Sequence, residues 1–157
     1  MNDIFCKLNK ETKCYIMAAV MVFEGYKEID ELTEILGQLA LDTLGLSREE
    51  LEQFPMPTYS QLIAHLRPIT NHEIRDWVIT NTYSPVLKSR RKDALDDFKR
   101  FCLDLNWDVK EIKDTMELVE ELGRLKPIDN GVSSNSGCLS VLILALVCTV
   151  LFAFTII

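Results

Sequence analysis

Five carboxylates crowd one short stretch: Glu24, Glu28, Asp30, Glu31 and Glu34, with Lys27 the one cation among them. Oxygen ligands converging on a turn are what hard cations such as Ca²⁺ and Mg²⁺ require, so Glu24, Asp30, Glu31 and Glu34 are candidate metal ligands. The alternating ligands and the bidentate Glu of an EF-hand loop are missing. The same acids also suit a solvated first helical turn, where negative charge meets the positive end of the helix dipole. The opposite charge gathers in "KSRRK", where Lys88, Arg90, Arg91 and Lys92 form a basic patch. Such a patch fits lipid headgroups or an acidic partner, or simply a solvated face. His65 and His72 stand on either side of Pro68, which denies them a shared regular helix. A zinc site would need two or three further ligands at defined spacing. No Gly-rich phosphate loop, GxSxG or HExxH is present. The expectation is a protein that is not an enzyme, with no cofactor beyond a divalent ion at the acidic turn.

These groups must be positioned by helices. "CYIMAAVMVF" (Cys14 to Phe23) is apolar at every position and too short to span a bilayer, so it reads as a central helix buried on all sides, with Asn9 as N-cap. Asp30 is the expected cap of the next helix, whose stripe is Leu32, Ile35, Leu36, Leu39 and Ala40, with Gly45 as the stop. "SREE" (Ser47 to Glu50) is a capping box, and its helix ends before the prolines of "FPMP". "TYSQLIAHL" reads as a short helix. "TNHE" (Thr70 to Glu73) is a second capping box, opening "IRDWVITN". Ser84-Pro85 is a start signal, with Pro85 at the first helical position of what is expected to be the longest helix and the basic patch in its first turns. Ala94, Leu95, Phe98, Phe101, Cys102 and Leu105 fall on one face of it. Asn106-Trp107 ends one helix and leads to the next. "DVKE" (Asp108 to Glu111) is a third capping box, opening a helix lined by Val109, Ile112, Met116, Val119 and Leu122 and ended by Gly123. No alternating stretch is long enough for a sheet. The fold class expected is all-α: a compact bundle of six or seven helices around a buried central helix, plus one C-terminal transmembrane helix.

That last element follows from a break in composition. Every charged side chain lies between Asp3 and Asp129. "KPIDNGVSSNSG" has the small, polar composition of a tether, and Leu139 to Ile157 then carry no charge. Thirteen of those 19 residues are Leu, Ile, Val or Phe. As a helix they would cover roughly 28 Å, about one hydrocarbon thickness. The expected division is therefore residues 1–125 as a cytosolic helical domain, 126–137 as a flexible linker and 138–157 as a transmembrane tail anchor. No apolar signal segment opens the chain. The expected topology is single-pass, with the N-terminal domain in the cytoplasm.

The net charge of −7 belongs to the part before the tether. It excludes the broad basic face that phosphate neutralisation needs, so no nucleic-acid partner is expected. Cys6, Cys14, Cys102, Cys138 and Cys148 form no CxxC and no framework, and read as reduced thiols.

The stretch "AAVMVFEGYKEIDELTEILGQLALDTLGLSREEL" resembles the TerB-like helical domains, named for a tellurite-resistance protein. Glu24-Gly25 stands where that family carries an Asp-Gly turn. Ile29, Asp30, Glu31 and Glu34 follow, and Leu44-Gly45-Leu46-Ser47 with Glu50 matches the later signature. "ALDDFKRFCLDLNWDVKEI" is similar to the family's later helix pair. The resemblance spans residues 12–122, with recognisable motifs from Ala18 to Leu51. It implies a compact, non-enzymatic module of bacterial membrane-linked stress responses that works through protein–protein interaction. It also implies an acid-coordinated metal site at Glu24, Asp30, Glu31 and Glu34. The functional expectation is a tail-anchored protein that presents a helical interaction module, with membrane and protein partners. The alternative is a membrane-regulatory bundle resembling the tail-anchored apoptosis regulators. "LNWDV" keeps an Asn-Trp pair of their signature and lacks the Gly-Arg that follows it.

Overall fold

A computed structural model describes residues 3–26 and 31–124, apart from the side chains of Asp3, Glu31, Leu32 and Thr33. Among the described residues every regular element is a helix: α1 (Asp3–Cys6), α2 (Lys10–Glu24), α3 (Glu31–Leu44), α4 (Arg48–Glu52), α5 (Tyr59–Leu66), α6 (His72–Lys88), α7 (Ala94–Leu105) and α8 (Val109–Arg124). This is one more than the upper count expected from sequence, the addition being α1, a helix of four residues. The single turn α1 carries no helical periodicity, yet it drives Phe5 into the core at 1% exposure and edge-on to Trp77.

Local chemistry sets most of the boundaries. Asn9 caps α2, its Oδ1 accepting from the Thr12 amide at 2.7 Å. Ser47 and Glu50 form both bonds of the capping box that opens α4. Thr58 and Gln61 build an equivalent box at α5, satisfying two amides that a helix start leaves orphaned. Gly45 ends α3 with φ 63°. The Leu46 amide there reaches back to the Leu41 carbonyl and the Gly45 amide to that of Asp42, the paired bonds of a Schellman motif. Asn106 ends α7 in the left-handed conformation, and the Asp108 carboxylate takes the Glu111 amide to start α8.

Three expected boundaries are corrected. Asn71, not Thr70, caps α6, accepting from the Ile74 amide. Gly123 does not end α8, which continues through Arg124. Pro85 opens no helix: it lies inside α6, the longest helix described. An interior proline costs about 3 kcal/mol. Here burial on both sides of it, at Val78, Ile79, Tyr83 and Val86, holds the helix together through that defect. The Thr82 hydroxyl donates to the Val78 carbonyl in the same turn. Helix α7 starts only at Ala94.

The core sits between α2 and α6. Residues Cys14 to Val20 and Phe23 of α2 are buried, as the apolar run requires, but Met21 and Val22 are each 42% exposed. Helix α6 packs against α1, α2, α7 and α8, and so shares the central place expected of α2 alone. Phe23, Tyr83, Phe98 and Phe101 form an aromatic cluster where α2, α6 and α7 meet. At the opposite end Trp107 is buried, its indole N–H donating to the Arg67 carbonyl while the Arg75 guanidinium lies over its ring. Arg75 also donates to the Ile69 carbonyl and pairs with Glu111 at 3.0 Å, tying α6 to α8.

Helix α3 departs most from its expected stripe. Its buried residues are Ala40, Leu41 and Leu44, whereas Leu36 is half-buried and Ile35 is 53% exposed. Leu32 falls outside the described side chains.

Candidate functional site: an apolar groove walled by four helices

The main concavity follows from that mismatch. Helix α3 packs against α1 and α2, and its buried residues, Ala40, Leu41 and Leu44, lie in its C-terminal half. Its earlier turns stand over a groove of about 890 Å³. The floor comes from α2 (Met17, Val20, Met21) and α6 (Thr80, Tyr83, Pro85, Leu87). The walls come from α3 (Leu36, Gly37), α4 (Leu51) and α8 (Val119, Leu122, Gly123), with Leu95 of α7 at one end. Met21, Leu87 and Leu95 are each about two-fifths exposed, and all three lie along the groove. Two glycines widen it. A Cβ added at Gly37 or at Gly123 would meet no atom within 4 Å.

Charge stands on the rim: Glu24, Glu34, Glu52 and Glu120 against Arg48, Lys88 and Arg124. Glu120 is already engaged, accepting from the Tyr83 hydroxyl at 2.8 Å and pairing with Arg124. Burial, followed by that bond to a carboxylate, pushes the Tyr83 phenol well above its usual range, so it stays a neutral donor. Acids and bases nearly balance around the mouth.

The candidate metal ligands divide. Glu24 and Glu34 both lie on the groove, on α2 and α3. Asp30 and the Glu31 side chain are outside the described residues, as is the expected cap at Asp30. Among the described residues no group of three or more His, Cys, Asp or Glu side chains is placed to hold a metal ion.

The basic patch is not in the first turns of a helix, as the position of Pro85 suggested. Lys88 is the last residue of α6, and Ser89 to Lys92 form the connection to α7. Positive charge at a helix C-terminus is favourable, whereas in the first turns of a helix it would meet the positive end of the dipole. Lys88 lies on the groove rim, and Arg90 and Lys92 are exposed. Arg91 is committed within the fold. It pairs with Asp93, its Nε donating at 3.0 Å, and lies 4.5 Å over the Tyr26 ring. Tyr26 in turn donates to Asp97, and its carbonyl accepts from Ser89. Burial and that carboxylate push the Tyr26 phenol up to about 12.

The histidines stand apart, on α5 and at the first position of α6. His65 stacks on Tyr15 with ring centroids 3.7 Å apart, its Nδ1 lies 3.0 Å from the Gln61 carbonyl, and its Nε2 lies 3.5 Å from Glu11. That is packing in the α2–α5 seam. Cys14 and Cys102 carry thiols raised by burial, Cys102 to about 12, so neither is a reactive thiolate at neutral pH.

A smaller polar hollow lies between α6 and α8. Asp76, half-buried there, accepts from the Thr115 hydroxyl at 2.8 Å. Burial raises the Asp76 carboxyl, with the neighbouring Glu111 adding to the shift and the Thr115 bond opposing it. Oε1 of Glu111 is buried with no hydrogen-bond partner among the described residues, while its Oε2 holds Arg75.

Reading the sequence for motifs missed the groove altogether. Its one visible signal was surplus: α3 carries more apolar positions than one buried face uses, and Met21 extends an already complete core run. No helix among the described residues is long and apolar enough to cross a membrane, and the apolar run at 139–157 lies outside them. Comparison with protein-family models, with curated proteins and with solved structures gives no match.

Proposed function

We propose that this chain is a tail-anchored adaptor. Residues 138–157 hold it in a membrane, residues 126–137 are the tether, and the helical domain faces the cytoplasm as a protein-interaction module. The observation that carries this reading is the groove between α2, α3, α6 and α8. Its lining is mostly apolar, and its rim charges nearly cancel. Such a surface suits the apolar face of a helix, whose side chains at every third and fourth position would enter it. The charge-free run of 19 residues after a polar tether supports the anchor. The TerB-like resemblance of Ala18 to Leu51 agrees with a non-enzymatic module of a bacterial membrane-linked stress response.

The test is site-specific photo-cross-linking of the membrane-bound chain in cells. A photoreactive residue at position 87, on the groove, captures one protein reproducibly. The same residue at position 103, exposed on α7 and away from the groove, does not. Gly37→Trp, which fills open space in the groove wall, abolishes the capture without moving the chain off the membrane. No capture from position 87, with leakage of dye from vesicles carrying the chain, would instead favour a membrane-regulatory bundle of the apoptosis-regulator type.

A further inference from the structure

We infer that the groove binds the chain's own apolar segment, Leu139 to Ile157, whenever the chain is off the membrane, and releases it on insertion. The inference rests on the anchor reading above and adds the regulation of the same surface. Three features of the chain point to this occupant.

The first is position. Helix α8 ends its described course at Arg124, and Gly123 and Arg124 themselves line the groove. The tether therefore leaves from the groove's own rim. Fourteen residues separate Arg124 from Leu139. As a flexible coil they span about 20 Å, which matches the roughly 21 Å length of a 14-residue helix such as α3. The segment can reach any part of the groove.

The second is size. A helix of about 10 Å diameter displaces roughly 120 Å³ per residue, so a groove of this volume takes about 15 residues sunk to half their depth. The segment has 19 residues.

The third is charge. The rim carries four acids and three bases, a balance that offers no strong attraction to a highly charged peptide. The segment has no charge at all. In water, its apolar side chains and the exposed faces of Met21, Leu87 and Leu95 are each a liability that the other removes. The tether supplies about millimolar effective concentration, so a segment that binds with a dissociation constant of about 0.1 mM when separate is about nine-tenths docked when attached. A bilayer competes for the same residues. Docking therefore keeps the segment covered until it meets lipid, and the groove opens to a partner's helix only at the membrane.

The native Cys148 lies near the middle of the segment and serves as a reporter. The full chain carries Cys6→Ser and Cys138→Ser, which remove an exposed thiol and a second tail thiol, together with Leu87→Cys on the groove. A control chain carries Leu103→Cys instead, at a site 75% exposed and away from the groove. Mild copper–phenanthroline oxidation in membrane-free buffer is expected to join position 87 to Cys148 within one chain. The yield is at least about tenfold above that of the control and independent of dilution, as an intramolecular contact requires. Phosphatidylcholine vesicles lower the yield as the chain becomes vesicle-bound. The preformed disulfide blocks vesicle binding, and reduction restores it. Gly37→Trp lowers the yield and raises the vesicle-bound share.

Yields from positions 87 and 103 that are equal overturn the inference. A disulfide between chains, rising with concentration, makes a second copy the occupant and also overturns it. An undiminished intramolecular disulfide in vesicle-bound chain overturns the exchange. Failure of the anchor reading looks different: the reduced chain never binds vesicles, whatever the disulfide yield in water.

Discussion

Gly37 and Gly45 belong to one helical segment and should respond to alanine with opposite signs. Gly37 lies within α3, and a methyl group there meets no atom within 4 Å. Gly37→Ala therefore adds neither a clash nor a buried contact, and what remains is helix propensity. Alanine in place of glycine is worth about 0.8–1.0 kcal/mol in a helix interior. For a domain of this size that raises Tm by about 3–6 °C, and at an ordinary urea slope it moves the midpoint by roughly 0.5 M. Gly45 is eight residues on, at φ 63°, the left-handed stop that releases the chain from α3. Alanine is strained there by about 1–2 kcal/mol, so Gly45→Ala lowers the midpoint by a comparable or larger amount. The assay is urea unfolding of residues 1–125, where no tail reaches the groove. Tryptophan fluorescence reports it, because Trp77 and Trp107 are the only tryptophans in the chain. A neutral or destabilising Gly37→Ala would contradict the open helical setting of Gly37, and with it the α3 wall of the groove.

Other substitutions test the remaining packing and electrostatics. Phe98→Ala empties a fully buried site between Phe23 and Tyr83 and is expected to cost about 3–5 kcal/mol, read as the same urea midpoint. Arg75→Ala breaks the tie to Glu111, the bond to the Ile69 carbonyl and the cover over Trp107, and is expected to cost about 2–3 kcal/mol. Arg75→Lys, which lacks the planar fork, recovers only part of that loss. Asp76 has a folded-state carboxyl raised by burial, so its contribution to stability is fully present below its unfolded value and declines as pH rises through the folded value. Asp76→Asn is therefore expected to gain on the native chain at pH 7 and to lose that advantage in acid, measured as the difference in urea midpoint across pH. A gain that is the same at both pH values would refute the burial argument.

The elements that sequence reading placed well are those governed by neighbours in the chain. Asn9, Ser47, Gly45 and Asp108 act through bonds to backbone groups three residues away, so their signatures are local and legible. The apolar run of α2 needed only its composition. Pro85 misled for a tertiary reason: proline favours a helix start, yet the burial of Val86 and Tyr83 on either side of it carries α6 through. The basic patch was displaced by the same error. Turn α1 was invisible because one turn has no period, and its place depends on Phe5 meeting Trp77 across the fold. The groove could not be read from any single helix. It exists because Leu36, Leu87 and Leu122, each ordinary on its own helix, face one another across a space that none of them fills.

The central claim is that this helical domain is held at a membrane by its last residues. Sodium carbonate extraction of membranes from cells expressing the full chain, beside a chain lacking Leu139 to Ile157, tests that claim most directly. The account predicts that the full chain has a membrane-bound share that resists carbonate, as an inserted helix does, and that the shortened chain has none while keeping its helical circular dichroism. Complete extraction of the full chain, to the same extent as the shortened one, would contradict it.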